Sequence, residues 1–284
     1  MAIHVYFFSR LCTSSWQVVV DYADEGTKLH CAANGVRLFG LVKPEALGAL
    51  PSVLTTAQQL FTISRLKMVN LDSEGCSRFN CSSGPAVAIE ASLLGESPDV
   101  VQRWLDFLSS QGRAMVGSQN NGDTSSDDAL FCFGAPAPAS DLRGIASACL
   151  VKPHVIKEGH LGEIVGAITK QGFNVEALQM FTLGKDAAAS FFDVYKGVLP
   201  TYAQTIAHVT EGPSVFLKLS GGPDVVRDFR EACGPSEVEL AKVLRPQSLR
   251  ALFGSDSVRN AVHCTDLPED GALEVGYFQH LLSL

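Results

Sequence analysis

A four-residue segment that occurs twice limits what this chain can fold into more than any other feature. Leu-Val-Lys-Pro stands at 41–44 and again at 150–153. Each copy is followed by an apolar helical stretch and, further on, by a Gly-Pro pair that opens a strand-like segment, at Gly84 and at Gly212. Self-similarity of this kind reports architecture before any single residue does. The sequence therefore predicts two copies of one fold in tandem.

The two copies differ in length. There are 41 positions between Lys43 and Gly84 of the first copy, but 60 between Lys152 and Gly212 of the second. The first copy has therefore lost a segment that the second keeps. We interpret it as the degenerate member of the pair.

Composition places the domain boundaries. A polar stretch at 117–128 indicates a loop insertion, and a Pro-containing stretch at 134–141 indicates a stiff connector. We predict four segments: a truncated β-rich N-terminal fragment at 1–35, a degenerate domain at 36–135, a linker at 136–147 and a second domain at 148–284.

Hydrophobic periodicity in the second copy predicts the fold class. Apolar residues follow helical spacing before Gly172, alternate in a strand that begins after Gly212, and return to helical spacing before Gly234. Strands and helices alternate along the whole copy. This order favours an α+β sandwich of the ferredoxin-like kind, in which helices pack on one face of a sheet.

Bulk properties exclude several classes of function. The net charge of -8 and pI near 5.3 argue against a nucleic-acid-binding surface, although a small phosphate pocket needs only two or three basic groups. No run approaches the roughly eighteen apolar residues of a membrane span, and the first twelve residues lack a signal-peptide pattern. The eight cysteines form no C-x-x-C pair. We expect a soluble, non-exported protein with reduced thiols.

One histidine in the second copy has neighbours suited to phosphate chemistry. His263 follows a short apolar segment that we place at an edge of the sheet, and Glu274 comes eleven residues later on a predicted helix. A histidine nucleophile needs such a group to commit one ring nitrogen and present the other. Lys152, Arg230 and Arg250 supply positive charge from separate elements. Taken alone, these cations are more often solvated surface charges than parts of a phosphate site, by roughly three to one.

Further motifs carry a resemblance to a known family. The stretch 148–284 is similar in order and spacing to nucleoside diphosphate kinases throughout, and the matching motifs are Lys152-Pro153, Gly162-Glu163-Ile164, Gly212-Pro213, Gly234 with Ser236, Leu249-Arg250 and Arg259-Asn260-Ala261-Val262-His263. The resemblance implies a transfer in which a nucleoside triphosphate phosphorylates His263 and a nucleoside diphosphate then collects the phosphoryl group.

The same resemblance implies roles for individual residues. His263, Glu274 and Lys152 would be catalytic, and the nucleotide-binding set would be Lys152, Phe192, Arg230, Ser236, Arg250 and Asn260. Magnesium would bridge the phosphates of ATP or another nucleoside triphosphate, with no metal ligand from the protein. The sequence departs from the family pattern at Phe192, where a tyrosine is expected, at Cys264, where a glycine is expected beside the nucleophile, and at 196–202, where a base-stacking phenylalanine gives way to Thr201 or Tyr202.

The first copy lacks the phosphate carrier. No histidine lies between His30 and His154, although Lys43 is kept. Enzymatic activity, if present, would therefore belong to the second domain only. We interpret the first copy as a structural, pseudoenzyme domain.

The N-terminal segments suggest where such a chain works. Residues 7–10 and 18–24, together with 260–271, resemble the tandem-domain members of the family that belong to ciliary axonemes. This resemblance implies a cytoplasmic, cytoskeletal protein of the cilium or flagellum, bound inside doublet microtubules with tubulin and other microtubule inner proteins as partners. No nucleic-acid or membrane partner is expected. The alternative is an active soluble nucleoside diphosphate kinase of nucleotide metabolism.

Overall fold

A computed structural model of the chain describes residues 4–7, 18–21, 27–28, 37–93, 99–118, 124–134 and 145–283. The strands in chain order are β1 His4–Phe7, β2 Val18–Asp21, β3 Thr27–Lys28, β4 Leu38–Val42, β5 Phe61–Leu71, β6 Gly84–Leu93, β7 Met115–Ser118, β8 Ser147–Val151, β9 Asn174–Leu183, β10 Pro213–Ser220 and β11 Val262–Cys264. The α-helices are α1 Leu50–Leu60, α2 Ser73–Phe79, α3 Val100–Ser110, α4 Thr124–Gly134, α5 Pro153–Lys157, α6 Leu161–Lys170, α7 Lys185–Phe191, α8 Tyr202–Val209, α9 Val225–Cys233, α10 Val238–Leu244, α11 Leu249–Phe253 and α12 Gly271–Ser283. Short 3₁₀ turns lie at Pro44–Ala49, Gly112–Ala114, Asp193–Tyr195 and Pro268–Asp270.

Strand order shows the same fold twice. One half of the sheet has the order β5-β6-β4-β7 and the other half β9-β10-β8-β11, and every pairing is antiparallel. In both halves the second, third, first and fourth strands of the unit lie side by side, which is the ferredoxin-like arrangement. The predicted fold class, two tandem ferredoxin-like sandwiches, is confirmed.

The two units form one continuous sheet. Strand β5 of the first unit pairs with β9 of the second through Lys67 and Gln179. Strand β3 also pairs with β9, at its C-terminal end, where Thr27 lies opposite Leu183 and Lys28 opposite Thr182. A hydrophobic cluster runs from Leu38 in the first unit to Cys264 in the second, so the units share a core on this face.

The close approach of two helices also holds the units together. Helix α6 packs on α1 with almost no space between the backbones. A Cβ atom added at Gly162 would lie 2.4 Å from the backbone nitrogen of Thr55 and 2.6 Å from the carbonyl oxygen of Pro51. Across the same contact, Gln58 Nε2 donates to the carbonyl oxygen of Ile156 at 3.2 Å. Glycine is therefore required at this position by packing, not by its backbone angles.

Helices cover both faces of the sheet in the second unit. The helices α6 and α9 pack on the face that carries Val215 and Leu217, and α7, α8 and α12 pack on the face that carries Phe216. Strand β10 is consequently buried on both sides. The expected helices on one face are present, and the second layer is an addition that the alternation in β10 did not predict.

Strand register shows which residue of the first unit stands in place of the second unit's histidine. In the repeated segment Leu41 corresponds to Leu150. Leu150 pairs with His263, whereas Leu41 pairs with Val116. Val116 thus occupies the position of the phosphate carrier.

The shortened segment of the first unit is also located. Between β9 and β10 the second unit has α7 and α8, whereas only α2 lies between β5 and β6. The lysine of the first repeat, Lys43, donates its Nζ to the carbonyl oxygen of Asn80, just after α2, at 3.1 Å. The amine is thus engaged by backbone.

The segments between domains are only partly described. Helix α4 begins inside the stretch that we interpreted as a polar loop, and it packs Ala129 and Cys132 against the first unit's sheet. Residues 135–144 of the predicted connector, and most of the predicted fragment at 1–35, lie outside the described residues. The boundaries stay a prediction. None of the helices in the described part of the chain has the length and apolarity to span a membrane.

We expect Gly162→Ala to destabilise the protein by about 1–3 kcal/mol, because the new methyl group overlaps the α1 backbone. Alanine favours a helix over glycine when space is free, so the sign of the effect reports the contact. Gly48→Ala is the matched control, since nothing lies within 4 Å of a Cβ at Gly48. Urea unfolding of the two variants and the parent measures both effects, and a Gly162→Ala protein as stable as the parent would contradict the packing argument.

Candidate active site

His263 lies on the edge strand β11, as the sequence predicted, and its ring is held from behind by α12. The imidazole Nε2 lies 3.0 Å from Glu274 Oε2. Because a carboxylate only accepts hydrogen bonds, Nε2 carries the proton and Nδ1 keeps the lone pair. Thr265 Oγ1 donates to the same carboxylate oxygen at 2.9 Å and accepts from the Ala148 backbone N–H at 2.9 Å. Glu274 is thereby tied to the central part of the sheet.

Aromatic side chains enclose the imidazole. The ring centroids of Phe191, Phe192 and Tyr195 lie 5.0, 5.5 and 6.4 Å from that of His263, and all three rings stand nearly perpendicular to it. His263 is 6% exposed. Edge contacts of this kind restrict rotation of the ring, so its orientation is fixed by packing as well as by Glu274.

A strained residue directs the chain into the site. Ala261 adopts φ of 67°, a left-handed conformation that residues with a Cβ seldom adopt. Its carbonyl oxygen accepts from the Lys152 N–H at 2.9 Å, and the Val262 N–H bonds to the carbonyl oxygen of Asn260 at 2.8 Å. This turn lets Asn260 and His263 both face one cavity. Strain at such a position is a common property of functional sites.

Lys152 begins a buried polar chain. Its Nζ donates to Asn260 Oδ1 at 2.7 Å and to the carbonyl oxygen of Val258 at 2.8 Å. Asn260 Nδ2 in turn donates to the carbonyl oxygen of Ser236 at 3.1 Å. Burial, with a smaller contribution from the nearby Arg250 charge, lowers the pKa of Lys152 to about 7. Near pH 7 the amine of the empty site is therefore about half protonated, and a bound anion would favour its charged form.

The two arginines differ in their surroundings. Arg250 donates from Nη1 to the carbonyl oxygen of Gly234 at 2.7 Å and from Nη2 to that of Val262 at 3.1 Å. Among the described residues no carboxylate forms an ion pair with it. Arg230 is more exposed, and its Nε lies 3.3 Å from Asp266 Oδ1. A partly buried cation without an anionic partner is what a phosphate-binding site provides.

A single cavity of about 630 Å³ collects these groups. Seven of the eight residues that the sequence proposed line it: Lys152, Phe192, Arg230, Ser236, Arg250, Asn260 and His263. The eighth, Glu274, lies behind His263 and reaches the cavity only through it. The structure thus brings all eight to one place, and their roles remain predictions.

Sequence reasoning missed several residues of the cavity wall. Tyr195 and Leu199 come from the segment between α7 and α8, and Thr205 comes from α8 itself; the first unit lacks both. Asp266 accepts from the Tyr195 hydroxyl at 2.5 Å and also pairs with Arg230. Two more arginines, Arg227 and Arg245, stand at the rim. Only Asp266 had a sequence signal, since it follows His263 by three positions.

A second polar network, made of two buried histidines and an exposed glutamate, lies close to Lys152 in the fold. Glu211 Oε1 accepts from His208 Nδ1 at 2.8 Å, and His208 Nε2 lies 2.9 Å from His154 Nδ1. Because the carboxylate accepts, protons sit on Nδ1 of both rings. His154 is buried, which lowers its pKa to about 4 and keeps it neutral. The network fixes α5 against α8 next to the lysine.

Comparison with known proteins now gives the family. The model of the family described as nucleoside diphosphate kinase matches residues 146–281. The mouse protein named nucleoside diphosphate kinase homolog 7 is 32% identical over 93% of this chain and 76% of its own length, and the rat protein of the same name is 33% identical over the same shares. The chain belongs to the nucleoside diphosphate kinase family. A solved structure of the nucleoside diphosphate kinase of Aquifex aeolicus covers 47% of this chain and 93% of its own, with 32% identity and a TM-score of 0.45.

The departures from the nucleoside diphosphate kinase pattern have structural consequences. Cys264 follows His263 in β11, so its side chain points to the opposite face of the strand and packs in the shared core. It does not crowd the imidazole from the same side. Tyr202 donates its hydroxyl to the carbonyl oxygen of Ala189 at 3.3 Å and is not part of the cavity wall, whereas Leu199 is. Within the stretch 196–202, the cavity is therefore lined by the aliphatic side chain of Leu199.

The cavity has no built-in metal cage. No group of three or more His, Cys, Asp or Glu side chains in the described ranges could hold a metal ion. Its charged wall is mainly cationic. A magnesium ion that accompanied a nucleotide in this cavity would find ligands on phosphate and water.

The lowered pKa of Lys152 predicts proton uptake when a nucleotide binds. Above about pH 7 the empty site holds a mostly neutral amine, and a phosphate beside Nζ favours the charged form. The affinity for ADP should therefore fall as pH rises from 7 to 9, by at most about tenfold per unit. Titration calorimetry in buffers with different ionisation enthalpies measures the proton directly.

Lys152→Arg is the control for this experiment, because a guanidinium stays charged throughout that range. It should bind ADP with little proton uptake. Equal uptake by the parent and Lys152→Arg would assign the proton to another group.

Proposed function

We propose that the second unit is a nucleoside diphosphate kinase that carries the phosphoryl group on His263. The observation that supports this most strongly is the commitment of His263 Nε2 to Glu274, which leaves Nδ1 as a nucleophile in a ring that lines a cavity with Lys152, Arg230 and Arg250. The substrates that fit this cationic cavity wall are nucleoside triphosphates as phosphoryl donors and nucleoside diphosphates as acceptors.

The groups divide the work in the following way. Nδ1 attacks the γ-phosphorus, an N–P bond forms, and the bond from phosphorus to the bridging oxygen breaks as the diphosphate leaves. The imidazole becomes positively charged in this step, and the Glu274 carboxylate stabilises that charge through Nε2–H. The cations hold the phosphate oxygens where negative charge is spread.

The surroundings of His263 also protect the intermediate. Phe191, Phe192 and Tyr195 exclude water from one side of the ring, so a phosphohistidine is shielded from hydrolysis until a diphosphate enters. In the second half-reaction a terminal oxygen of that diphosphate attacks the same phosphorus, and the histidine is released. Magnesium, when it accompanies the nucleotide, neutralises phosphate charge; the protein's own part is to bind and orient.

Labelling of His263 tests the activity. Purified protein incubated with γ-labelled ATP should acquire acid-labile, base-stable label, and ADP or GDP should remove it. His263→Ala should abolish the label. His280→Ala is the matched control, because His280 is exposed on α12 and distant from the cavity wall. Label that persists in His263→Ala, or a parent that takes up none, would exclude this function.

Glu274→Gln tests the orienting role separately. The amide can no longer stabilise an imidazolium by charge, so we expect the labelling rate to fall by at least about tenfold with the nucleotide affinity little changed. A rapid-quench time course gives the rate, and calorimetry with ADP gives the affinity. An unchanged rate would mean that Glu274 serves only to hold the fold.

We further propose a structural role in the cilium or flagellum, with the protein bound inside doublet microtubules against tubulin and other inner proteins. The observation that favours a scaffold is the first unit: it keeps the four-stranded arrangement, has Val116 in place of the carrier and is joined to the second unit through one sheet. Catalysis alone does not need such a half. This role is compatible with kinase activity, and it would place the protein in the cytoplasm, on the cytoskeleton.

Cryo-electron microscopy of doublet microtubules from cells with and without the protein tests the scaffold role. We expect luminal density to disappear with the protein and to return with His263→Ala, because the scaffold does not depend on the carrier. Unchanged luminal density would leave the alternative, a soluble enzyme of nucleotide metabolism.

A further inference from the structure

Three reduced thiols lie together in the core between the strands β8 and β11 and the helix α9. Cys264 of β11 is paired in register with Cys149 of β8, and Cys233 ends α9 beside them. Each is at most 1% exposed. Cys76 and Cys81 of the first unit are more exposed than any of the three. Burial is the ordinary condition of an unreactive structural cysteine, so the local charges decide whether this cluster is different.

Arg250 makes one thiol of the cluster unlike the others. Its Nη2 lies 3.7 Å from Cys264 Sγ. No carboxylate among the described residues forms an ion pair with Arg250, and the Cys264 sulfur beside it is a group that can carry a balancing negative charge. A hydrogen bond from the Cys233 thiol and the Arg250 charge hold the pKa of Cys264 below its usual range, whereas burial raises the pKa of Cys233 and of Cys149. Of the three thiols, Cys264 is thus the one whose ionised form the surroundings favour.

Access also singles out Cys264. It is part of the wall of the 630 Å³ cavity that His263 lines, whereas Cys149 and Cys233 are not. Less protein therefore separates a small molecule in the cavity from Cys264 than from the other two thiols. Low pKa, a neighbouring cation, access and a second thiol in contact are the features of a redox-reactive cysteine.

We propose that Cys264 is a modification site: its thiolate reduces a hydroperoxide that enters the nucleotide cavity and then forms a disulfide with Cys233. In the first step the sulfur attacks one peroxide oxygen, an S–O bond forms and the O–O bond breaks. Cys264 is oxidised to a sulfenic acid, and the leaving hydroxide or alkoxide takes up a proton. In the second step the Cys233 sulfur attacks Cys264, an S–S bond forms, and the S–O bond breaks. The departing hydroxide takes the Cys233 proton and leaves as water.

The same arginine connects this chemistry to the nucleotide site. Arg250 can balance a thiolate on one side or a phosphate on the other. A bound nucleotide would both block the cavity and take over the guanidinium, so Cys264 should react more slowly when the site is full. This last consequence rests on the proposed function, whereas the disulfide itself does not.

Mass spectrometry of the full chain tests the proposal. The reduced protein is treated with a few equivalents of hydrogen peroxide, blocked with an alkylating reagent and digested without reductant. We expect a disulfide-linked peptide pair that contains Cys233 and Cys264, reversed by dithiothreitol. No such pair in the parent protein, a Cys149–Cys264 pair instead, or oxidation of Cys76 and Cys81 ahead of Cys264 would each overturn the proposal.

Alanine variants assign the steps. In Cys233→Ala the sulfenic acid has no resolving thiol, so dimedone should label Cys264. Cys149→Ala is the matched control from the same buried cluster, and its Cys233–Cys264 disulfide should still form. Dimedone labelling of Cys264 that is equal in Cys233→Ala and in the parent would show that Cys233 does not resolve it. If a variant fails to fold, the result for the parent protein still decides the proposal.

Repeating the peroxide experiment with saturating ADP and magnesium tests the link between the thiol and the nucleotide site. We expect the disulfide to form several-fold more slowly in its presence. A disulfide that forms at an unchanged rate supports the thiol chemistry and counts against nucleotide binding at Arg250, so failure of the proposed function is distinguished from failure of this inference.

Discussion

Three residues of β11 pair with three of β8, and the candidate site depends on this short antiparallel contact. The register places His263 opposite Leu150 and Cys264 opposite Cys149. It also brings the start of α5 to the turn at Ala261, where Lys152 bonds to backbone and to Asn260. A slip by one residue would exchange the faces of the strand and turn the imidazole into the core. The geometry of the candidate site is therefore a consequence of strand pairing.

The two units show that this fold and this chemistry are separable. In the first unit the same strand order and register are kept, and Val116 takes the place of His263. The helices that would wall a cavity there, the counterparts of α7 and α8, are absent. Shared core packing and the contact at Gly162 make the first unit part of the second unit's support. Selection on such a half acts through packing, which is compatible with a scaffold.

The cavity is prepared for anions at a cost in stability. Lys152 is buried, and Arg250 is held by carbonyl oxygens without a carboxylate, so both charges lose hydration without full compensation in the empty site. Two features reduce this cost. The pKa of Lys152 is lowered to about 7, which favours the neutral amine, and the sulfur of Cys264 lies beside the Arg250 guanidinium. A phosphate would relieve both. The same electrostatic deficit thus supports both proposals, nucleotide binding at this cavity and reactivity of the Cys264 thiol.

The tandem fold could be predicted from the amino-acid sequence, because the repeated segment and the strand and helix periods are local patterns. The candidate residues could be predicted as well, because each family motif is a short stretch of neighbouring residues. The cavity wall at Tyr195 and Leu199, the helices on the second face and the helix α4 were decided only by tertiary structure. Each depends on which distant surfaces meet, and no local period records that. The thiol cluster is the clearest case: Cys149, Cys233 and Cys264 are separated by long stretches of chain, and only the pairing of β8 with β11 and the packing of α9 bring them to one arginine.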